Sequence, residues 1–209
     1  MSTQAPPISQ SVAPAEIELT INGQPHRLSY EHAFALGCTL LDKGQSEQAS
    51  KVFERLEAFT DRGPRAFIMQ AFCEAAEGRY DRCSAALCQA FSGDSREVAE
   101  TLHSVFVFYH VASRKEAIRD LIELVNKHHE LPTLCLLLGD MLAAADNAPL
   151  ARKCWKQAVR RDRVEGAVAA VAKKRLTQAG VAGEAESPPD AAQPAVGHAD
   201  AATVSKGTI

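Results

Sequence analysis

The chain has 209 residues, of which 46% are apolar and 23% are charged, and its formal net charge is −3. This balance predicts one globular domain with tails, and it excludes the strong excess of Lys and Arg that marks a phosphate-binding surface, so no nucleic-acid partner is expected. No apolar run approaches the roughly 18 residues that a membrane-spanning helix needs, so no membrane insertion is expected.

Residues 1–16, MSTQAPPISQSVAPAE, are predicted to be a disordered N-terminus. They lack the basic start and the apolar core of a secretory signal, which favours a cytoplasmic location. The six cysteines include no CxxC pair. In a reducing compartment we expect them to be small buried residues of helices rather than disulfides.

A β-hairpin is predicted over residues 17–28. The stretch IELTI (residues 17–21) alternates apolar and polar side chains and is followed by Asn22-Gly23, a typical two-residue hairpin turn. Pro25 cannot donate to a strand ladder, so the second strand should be short or lie at an edge. Because a two-stranded hairpin is marginally stable alone, we expect it to pack on the first of the helical repeats that follow it in the chain, or on a partner.

Three sets of residues then recur at an interval of 34. The first set is small, the second is bulky and apolar, and the third continues the apolar stripe of a helix. In that order the sets are Ala49, Cys83, Ala117 and Ala151; Phe53, Leu87, Leu121 and Trp155; and Leu56, Ala90, Leu124 and Ala158.

A fourth set recurs at the same interval. If each 34-residue unit contains two helices, this set marks the place where they are expected to cross closely. Its members are Gly37, Ala71, Val105 and Gly139. Gly44 and Gly78 follow the first helices of the first two units, where a helix end often needs positive φ.

The pattern of two helices in each 34-residue unit resembles that of the tetratricopeptide repeat family. The units span about Tyr30 to Asp162. The resemblance implies an all-α superhelix of four helix pairs. Val164, Val168 and Val171 lie roughly on one face of a predicted C-terminal closing helix.

The basic cluster Lys173, Lys174 and Arg175 near the end of this closing helix is interpreted as a solvated helix end. The repeat domain is predicted to occupy residues 29–180. The Ala- and Pro-rich residues 181–209 are predicted to be a disordered tail.

The sequence gives little support to an enzyme. His128-His129-Glu130 is the densest cluster of metal-ligand residues, but adjacent helical residues point in different directions, so we interpret it as the solvated end of the third unit. No nucleophile, phosphate-binding or dinucleotide motif is present. We therefore expect neither a catalytic residue, a metal nor a cofactor.

The concave face of a repeat superhelix usually binds its partner. The first helices are predicted to present an apolar peptide-binding groove lined by Phe34, Cys38, Leu41, Ile68, Phe72, Leu102, Phe106, Tyr109 and Leu136. The ligand expected is a protein or peptide client with an apolar segment. The alternative is that these side chains are buried between neighbouring helices.

A narrower resemblance lies in residues 51–81, KVFERLEAFTDRGPRAFIMQAFCEAAEGRYD. Its features are Val52-Phe53 with Leu56, Arg65 and Phe67, Cys73, and Gly78 with Tyr80-Asp81. This stretch resembles the type III secretion chaperones that hold hydrophobic translocator proteins. The resemblance implies a cytoplasmic protein, often homodimeric through its N-terminal part, that binds an extended client segment in its groove.

The sequence therefore predicts a non-enzymatic chaperone for an aggregation-prone client. The alternative is a structural adaptor in a multiprotein assembly that binds through the hairpin or the convex face.

Overall fold

A two-stranded hairpin precedes nine helices in the part of the chain that the structure, a computed structural model, describes: residues 16–21, 24–59, 63–91, 95–162 and 166–185. The elements are β1 (Ile17–Ile21), β2 (Gln24–Leu28), α1 (Tyr30–Asp42), α2 (Ser46–Leu56), α3 (Arg65–Ala76), α4 (Tyr80–Ala90), α5 (Arg96–Val111), α6 (Arg114–Lys127), α7 (Pro132–Ala143), α8 (Ala148–Arg161) and α9 (Ala167–Ala185). The mostly helical class and the short hairpin are as predicted.

The hairpin packs on the first helix pair. Strands β1 and β2 are antiparallel, with Ile17 opposite Leu28 and Ile21 opposite Gln24. β1 contacts α2, and β2 contacts α1. Ile17 and Leu19 are buried in the common core, while residues 24–27 are exposed. The predicted turn at residues 22–23 lies outside the described residues.

The 34-residue interval is also the interval between the starts of the second helices. α2, α4, α6 and α8 begin at Ser46, Tyr80, Arg114 and Ala148. Each packs on the helix before it; α2, α4 and α6 also pack on the first helix of the next pair, and α8 packs on α9. The recurring small residues are all fully buried, and so are the recurring bulky residues apart from Trp155, which is 5% exposed. The sequence repeat is therefore a repeat of the core.

Two of the predicted close crossings require glycine. A Cβ added to Gly37 would lie 2.6 Å from Cζ of Phe53, and one added to Gly139 would lie 2.4 Å from Nε1 of Trp155. Both distances are far below van der Waals contact. The aromatic ring of the second helix thus fills the space that a side chain on the first helix would take.

The second and third pairs combine different sizes at the same positions. Ala71 and Val105 replace the glycine, and Leu87 and Leu121 replace the aromatic residue. All four side chains are at most 1% exposed. A larger residue on the first helix thus accompanies a smaller one on the second, as a closely packed interior requires.

We expect Gly37→Ala to destabilise the fold, because overpacking costs roughly 1–3 kcal/mol and exceeds the gain of up to about 1 kcal/mol from alanine in a helix. Adding Phe53→Leu, which copies the second pair, should restore part of the loss. Urea unfolding of the single and double variants measures both effects.

Gly180→Ala is the matched control, because a Cβ there meets nothing within 4 Å. It should be neutral or slightly stabilising. Additive effects of Gly37→Ala and Phe53→Leu would contradict the proposed size compensation.

The turns between paired helices repeat in three of the four units. Gly44 and Gly78 have φ of 70° and 72°, as predicted. Asp146 adopts the same left-handed conformation with φ 57°, although it carries a side chain. Ala112 has φ −123°, so the third turn differs.

A buried carboxylate joins the first two pairs. Glu74 of α3 is 3% exposed and accepts hydrogen bonds from Oγ of Ser50 in α2 and from Nε of Arg79, each at 2.5 Å. Burial opposes ionisation of Glu74, but these hydrogen bonds outweigh it and lower the pKa below its ordinary value of 4.5. The charged form of Glu74 therefore stabilises the junction between α2 and α3.

We expect Glu74→Gln to lower the free energy of unfolding by roughly 1–3 kcal/mol at pH 7. Because the folded-state pKa is lowered, this stabilisation is present above the unfolded-state pKa and is lost as the pH falls through the folded-state pKa. Urea unfolding of both proteins at several pH values below 4.5 should show the difference shrinking. Glu77→Gln is the control, since Oε2 of Glu77 is 3.9 Å from Arg79; an equal effect would contradict the assignment.

The last helix connects the two ends of the array. α9 packs on α8 and α7, as expected of a closing helix, but it also packs on α1. Val168 and Val171 are buried in these contacts, whereas Val164 lies outside the described residues. Nη2 of Arg65 at the start of α3 also bonds Oδ1 of Asp162 after α8, at 2.9 Å. The four pairs are therefore closed by contacts between their ends.

Some predicted boundaries and burials need correction. α9 continues to Ala185, into the segment predicted to be a tail, while residues 1–15 and 186–209 lie outside the described residues. Four of the cysteines are buried, but Cys88 is exposed and Cys154 is half-buried. In the part of the chain that the structure describes, no helix has the length and apolar character needed to cross a bilayer.

Candidate functional site

The nine residues predicted to line the groove are mostly in the core. Seven are buried: Phe34, Cys38, Ile68, Leu102, Phe106, Tyr109 and Leu136. Leu41 and Phe72 are half-buried. The buried side chains belong to the common core, so they pack against one another instead of forming a long open groove.

Four of the nine residues nevertheless converge on one cavity of about 210 Å³, which we call the inner cavity. Its walls come from all four first helices and from α9. The lining residues are Cys38, Leu41, Asp42, Met69, Phe72, Tyr109, Leu137, Asp140, Met141, Ala144 and Arg175.

A network of charges borders the inner cavity. The guanidinium of Arg175 on α9 forms a bidentate ion pair with Asp42 of α1. Its Nε also donates to Oδ1 of Asp140 on α7 at 3.2 Å, and Nε1 of Trp155 donates to the same oxygen at 2.9 Å. Arg175 thus ties α9 to the first and the last of the four first helices.

The sequence predicted that Arg175 belongs to a solvated basic cluster, and for this residue the prediction is wrong. Its side chain is only 12% exposed. Because α9 lies against α1, one cation of the cluster faces inward, while Lys174 remains exposed. A contact between residues 133 positions apart has no local signal in the sequence.

The ionisable groups of the inner cavity are unsuited to nucleophilic chemistry. Burial raises the pKa of the Cys38 thiol, which keeps it protonated and poorly nucleophilic. Burial also raises the pKa of Tyr109. Burial disfavours the charge of Arg175, but its hydrogen bonds to Asp42 and its attraction to Asp140 raise its pKa, so it stays cationic and paired.

Aromatic side chains hold Phe72 at the inner cavity. Its ring lies 5.3 Å from that of Phe106 and 5.0 Å from that of His110. Tyr109 packs at 5.9 Å from Phe72, and the guanidinium of Arg114 lies 5.5 Å above the Tyr109 ring. Burial and the nearby Arg114 lower the pKa of His110, so it is neutral at pH 7. This edge of the cavity is therefore aromatic, with the cation of Arg114 above the Tyr109 ring.

Both histidines of the cluster after α6 contact charged side chains. Nδ1 of His128 lies 3.0 Å from Oε1 of Glu130, and Nδ1 of His129 lies 2.9 Å from Nη2 of Arg161. Within the described residues, no group of three or more His, Cys, Asp or Glu side chains is arranged to hold a metal ion.

Comparisons with known proteins identify no relative of this chain. No family model matches it, and neither the curated proteins nor the solved structures include a significant match.

We expect Arg175→Met to lower the free energy of unfolding by roughly 1–3 kcal/mol, because it leaves two neighbouring carboxylates without their shared cation. Urea unfolding measures the loss. Hydrogen exchange should show faster opening of α9 than of α3.

Lys174→Met is the matched control. Its Nζ lies 3.4 Å from Oγ1 of Thr39 in an exposed contact, so it should cost less than about 0.5 kcal/mol. Equal losses in the two variants would show that Arg175 does not hold α9 in place.

Proposed function

We propose that this protein is a non-enzymatic, tetratricopeptide-type chaperone that holds an apolar segment of a client protein at the inner cavity. The observation that carries the proposal is the convergence of all four first helices on one largely apolar cavity. A side chain bound there would contact every repeat at once.

The chemistry of the cavity favours a polypeptide side chain over a metabolite. Its volume of about 210 Å³ is below the roughly 300–1,000 Å³ that small-molecule sites usually offer. Met69 and Met141 supply flexible thioethers that adapt to different apolar shapes. The charges of Arg175 are already matched within the protein, which disfavours an acidic C-terminus as the ligand.

The repeat interval supports the tetratricopeptide assignment, and the resemblance of residues 51–81 supports a client of the hydrophobic translocator class. On this proposal the protein acts in the cytoplasm, before export of its client. Five of the predicted groove residues are 0% exposed and therefore offer no surface to a ligand. The bound segment can consequently insert only one or two side chains.

The second candidate function is that of an assembly adaptor. Two large apolar side chains at the end of α5, Phe108 and Val111, are 41% and 63% exposed and lie outside the inner cavity. An adaptor would use such outer surfaces or the hairpin, and it would not need the cavity.

Blocking the inner cavity tests the chaperone proposal. Ala144 lines the cavity and is exposed, so Ala144→Trp should obstruct it without disturbing the core. Affinity capture from the native cytoplasm, quantified by mass spectrometry, should lose an exported protein with an apolar segment by at least tenfold.

Ala145→Trp is the matched control, because Ala145 is exposed and does not line the cavity. It should capture the client like the unmodified protein. If both variants capture components of a multiprotein assembly equally and neither loses an exported client, the adaptor function would be favoured. Thermal unfolding of both variants verifies that the fold is intact.

A further inference from the structure

A second and larger cavity of about 420 Å³ lies between β1 and the first helix pair. We call it the hairpin groove. Glu18, Leu19 and Thr20 form its β1 side. It shares no lining residue with the inner cavity.

The hairpin groove runs along the free edge of β1. Successive side chains of a strand point to opposite faces of a sheet. Three consecutive residues, Glu18, Leu19 and Thr20, can therefore line one cavity only if the cavity follows the strand edge. β2 pairs with the other edge, and no residue of β2 lines the groove.

Pro25 determines which backbone groups of β1 face this edge. Thr20 lies opposite Pro25, which has no N–H, so this pair cannot exchange both ladder hydrogen bonds. Alternation then makes Glu18–Arg27 a non-hydrogen-bonded pair as well. The N–H and C=O groups of Glu18 and Thr20 consequently point away from β2, toward the groove.

The two edges of the hairpin are therefore unequal. The outward positions of β2 are Pro25 and Arg27, and the proline blocks pairing with another strand there. On β1 the corresponding positions, Glu18 and Thr20, have both donors and acceptors, and no backbone hydrogen bond satisfies them among the described residues. An added strand would satisfy these groups.

The floor of the hairpin groove is apolar. Leu36 and Leu40 of α1 are half-buried, and Val52 of α2 is 8% exposed. An extended segment beside β1 would place every second side chain on this floor.

The outer rim of the hairpin groove carries cations. Arg55 of α2 is exposed and has no ion pair among the described residues. Lys51, one turn earlier, forms an ion pair with the exposed Glu47, at 2.8 Å. Glu18 is the single acid among the described lining residues. Side chains of a bound strand that point to this rim are thus best matched by acids.

We propose that the hairpin groove binds an extended segment of a partner protein by strand addition to β1, with apolar and acidic residues in alternation. The backbone of the segment pairs with Glu18 and Thr20. Its apolar side chains contact Leu36, Leu40 and Val52, and its acidic side chains face Lys51 and Arg55.

Outside residues 16–21, which read EIELTI and include β1, the sequence shows no such segment. Residues 1–15 and 201–209 contain no acidic residue, and residues 186–200 contain three prolines. A second copy could present β1, but its Ile17 and Leu19 are buried against its own helices and cannot also contact the apolar floor of the groove. The occupant is therefore a different polypeptide.

The test uses the full chain and two synthetic probes, the peptides EVEVEVE and KVKVKVK, titrated by fluorescence anisotropy. We expect EVEVEVE to bind at least tenfold more tightly. An EVEVEVE peptide N-methylated at every residue cannot donate a strand hydrogen bond in either direction, so it should bind at least tenfold more weakly than the unmodified peptide.

Protein variants locate the site. Thr20→Pro removes an N–H that β2 does not use, and it should weaken binding at least tenfold, whereas Thr20→Ser should not. Arg55→Glu should reduce or reverse the preference for the acidic peptide. Arg160→Glu, at an exposed position of α8 away from the hairpin groove, is the control for charge reversal and should leave binding unchanged.

Several results would overturn the proposal. Equal binding of both peptides, or equal binding of the N-methylated peptide, would show that strand pairing and charge do not govern recognition. A concentration-dependent dimer whose formation excludes the peptide would assign the groove to a second copy. If Thr20→Pro lowers the melting temperature of the protein, the binding of Arg55→Glu and the binding of the N-methylated peptide decide the outcome.

Discussion

Closure of the repeat array by α9 is the constraint on which the rest of the structure depends. α9 buries Val168 and Val171 and places Arg175 between Asp42 of α1 and Asp140 of α7. The contacts of α9 with α1, α7 and α8 join the two ends of the array. Arg175 is the α9 residue that lines the inner cavity, and it borders the cavity with a compensated set of charges.

The same closure separates two kinds of surface. The inner cavity is largely apolar, and its ionisable groups are either held neutral or paired, which suits the binding of an apolar side chain and supplies no activated nucleophile. The hairpin groove instead combines an apolar floor with unpaired strand groups and exposed cations. The proposed chaperone site and the proposed strand-addition site are compatible on one small domain, because they share no lining residue and use different interactions.

The two surfaces also differ in how tightly they are coupled to the fold. Residues of the inner cavity come from five helices, so a ligand there would depend on the packing of the whole array. The hairpin groove uses only β1, α1 and α2, and the hairpin is held by the burial of Ile17 and Leu19. Occupation of the hairpin groove is thus a local event at one end of the chain.

The sequence by itself determined the local order of this protein. The 34-residue recurrence of Ala49 and Phe53 predicted the helix pairs, and Gly37 predicted a close crossing, because these features depend on neighbours within one unit. The alternation in IELTI predicted the hairpin for the same reason. Only the tertiary structure decided whether the inner face is open, whether Arg175 is solvated and which edge of the hairpin remains free. Those outcomes depend on contacts between residues far apart in the chain, such as Asp42 and Arg175, and no local pattern encodes them.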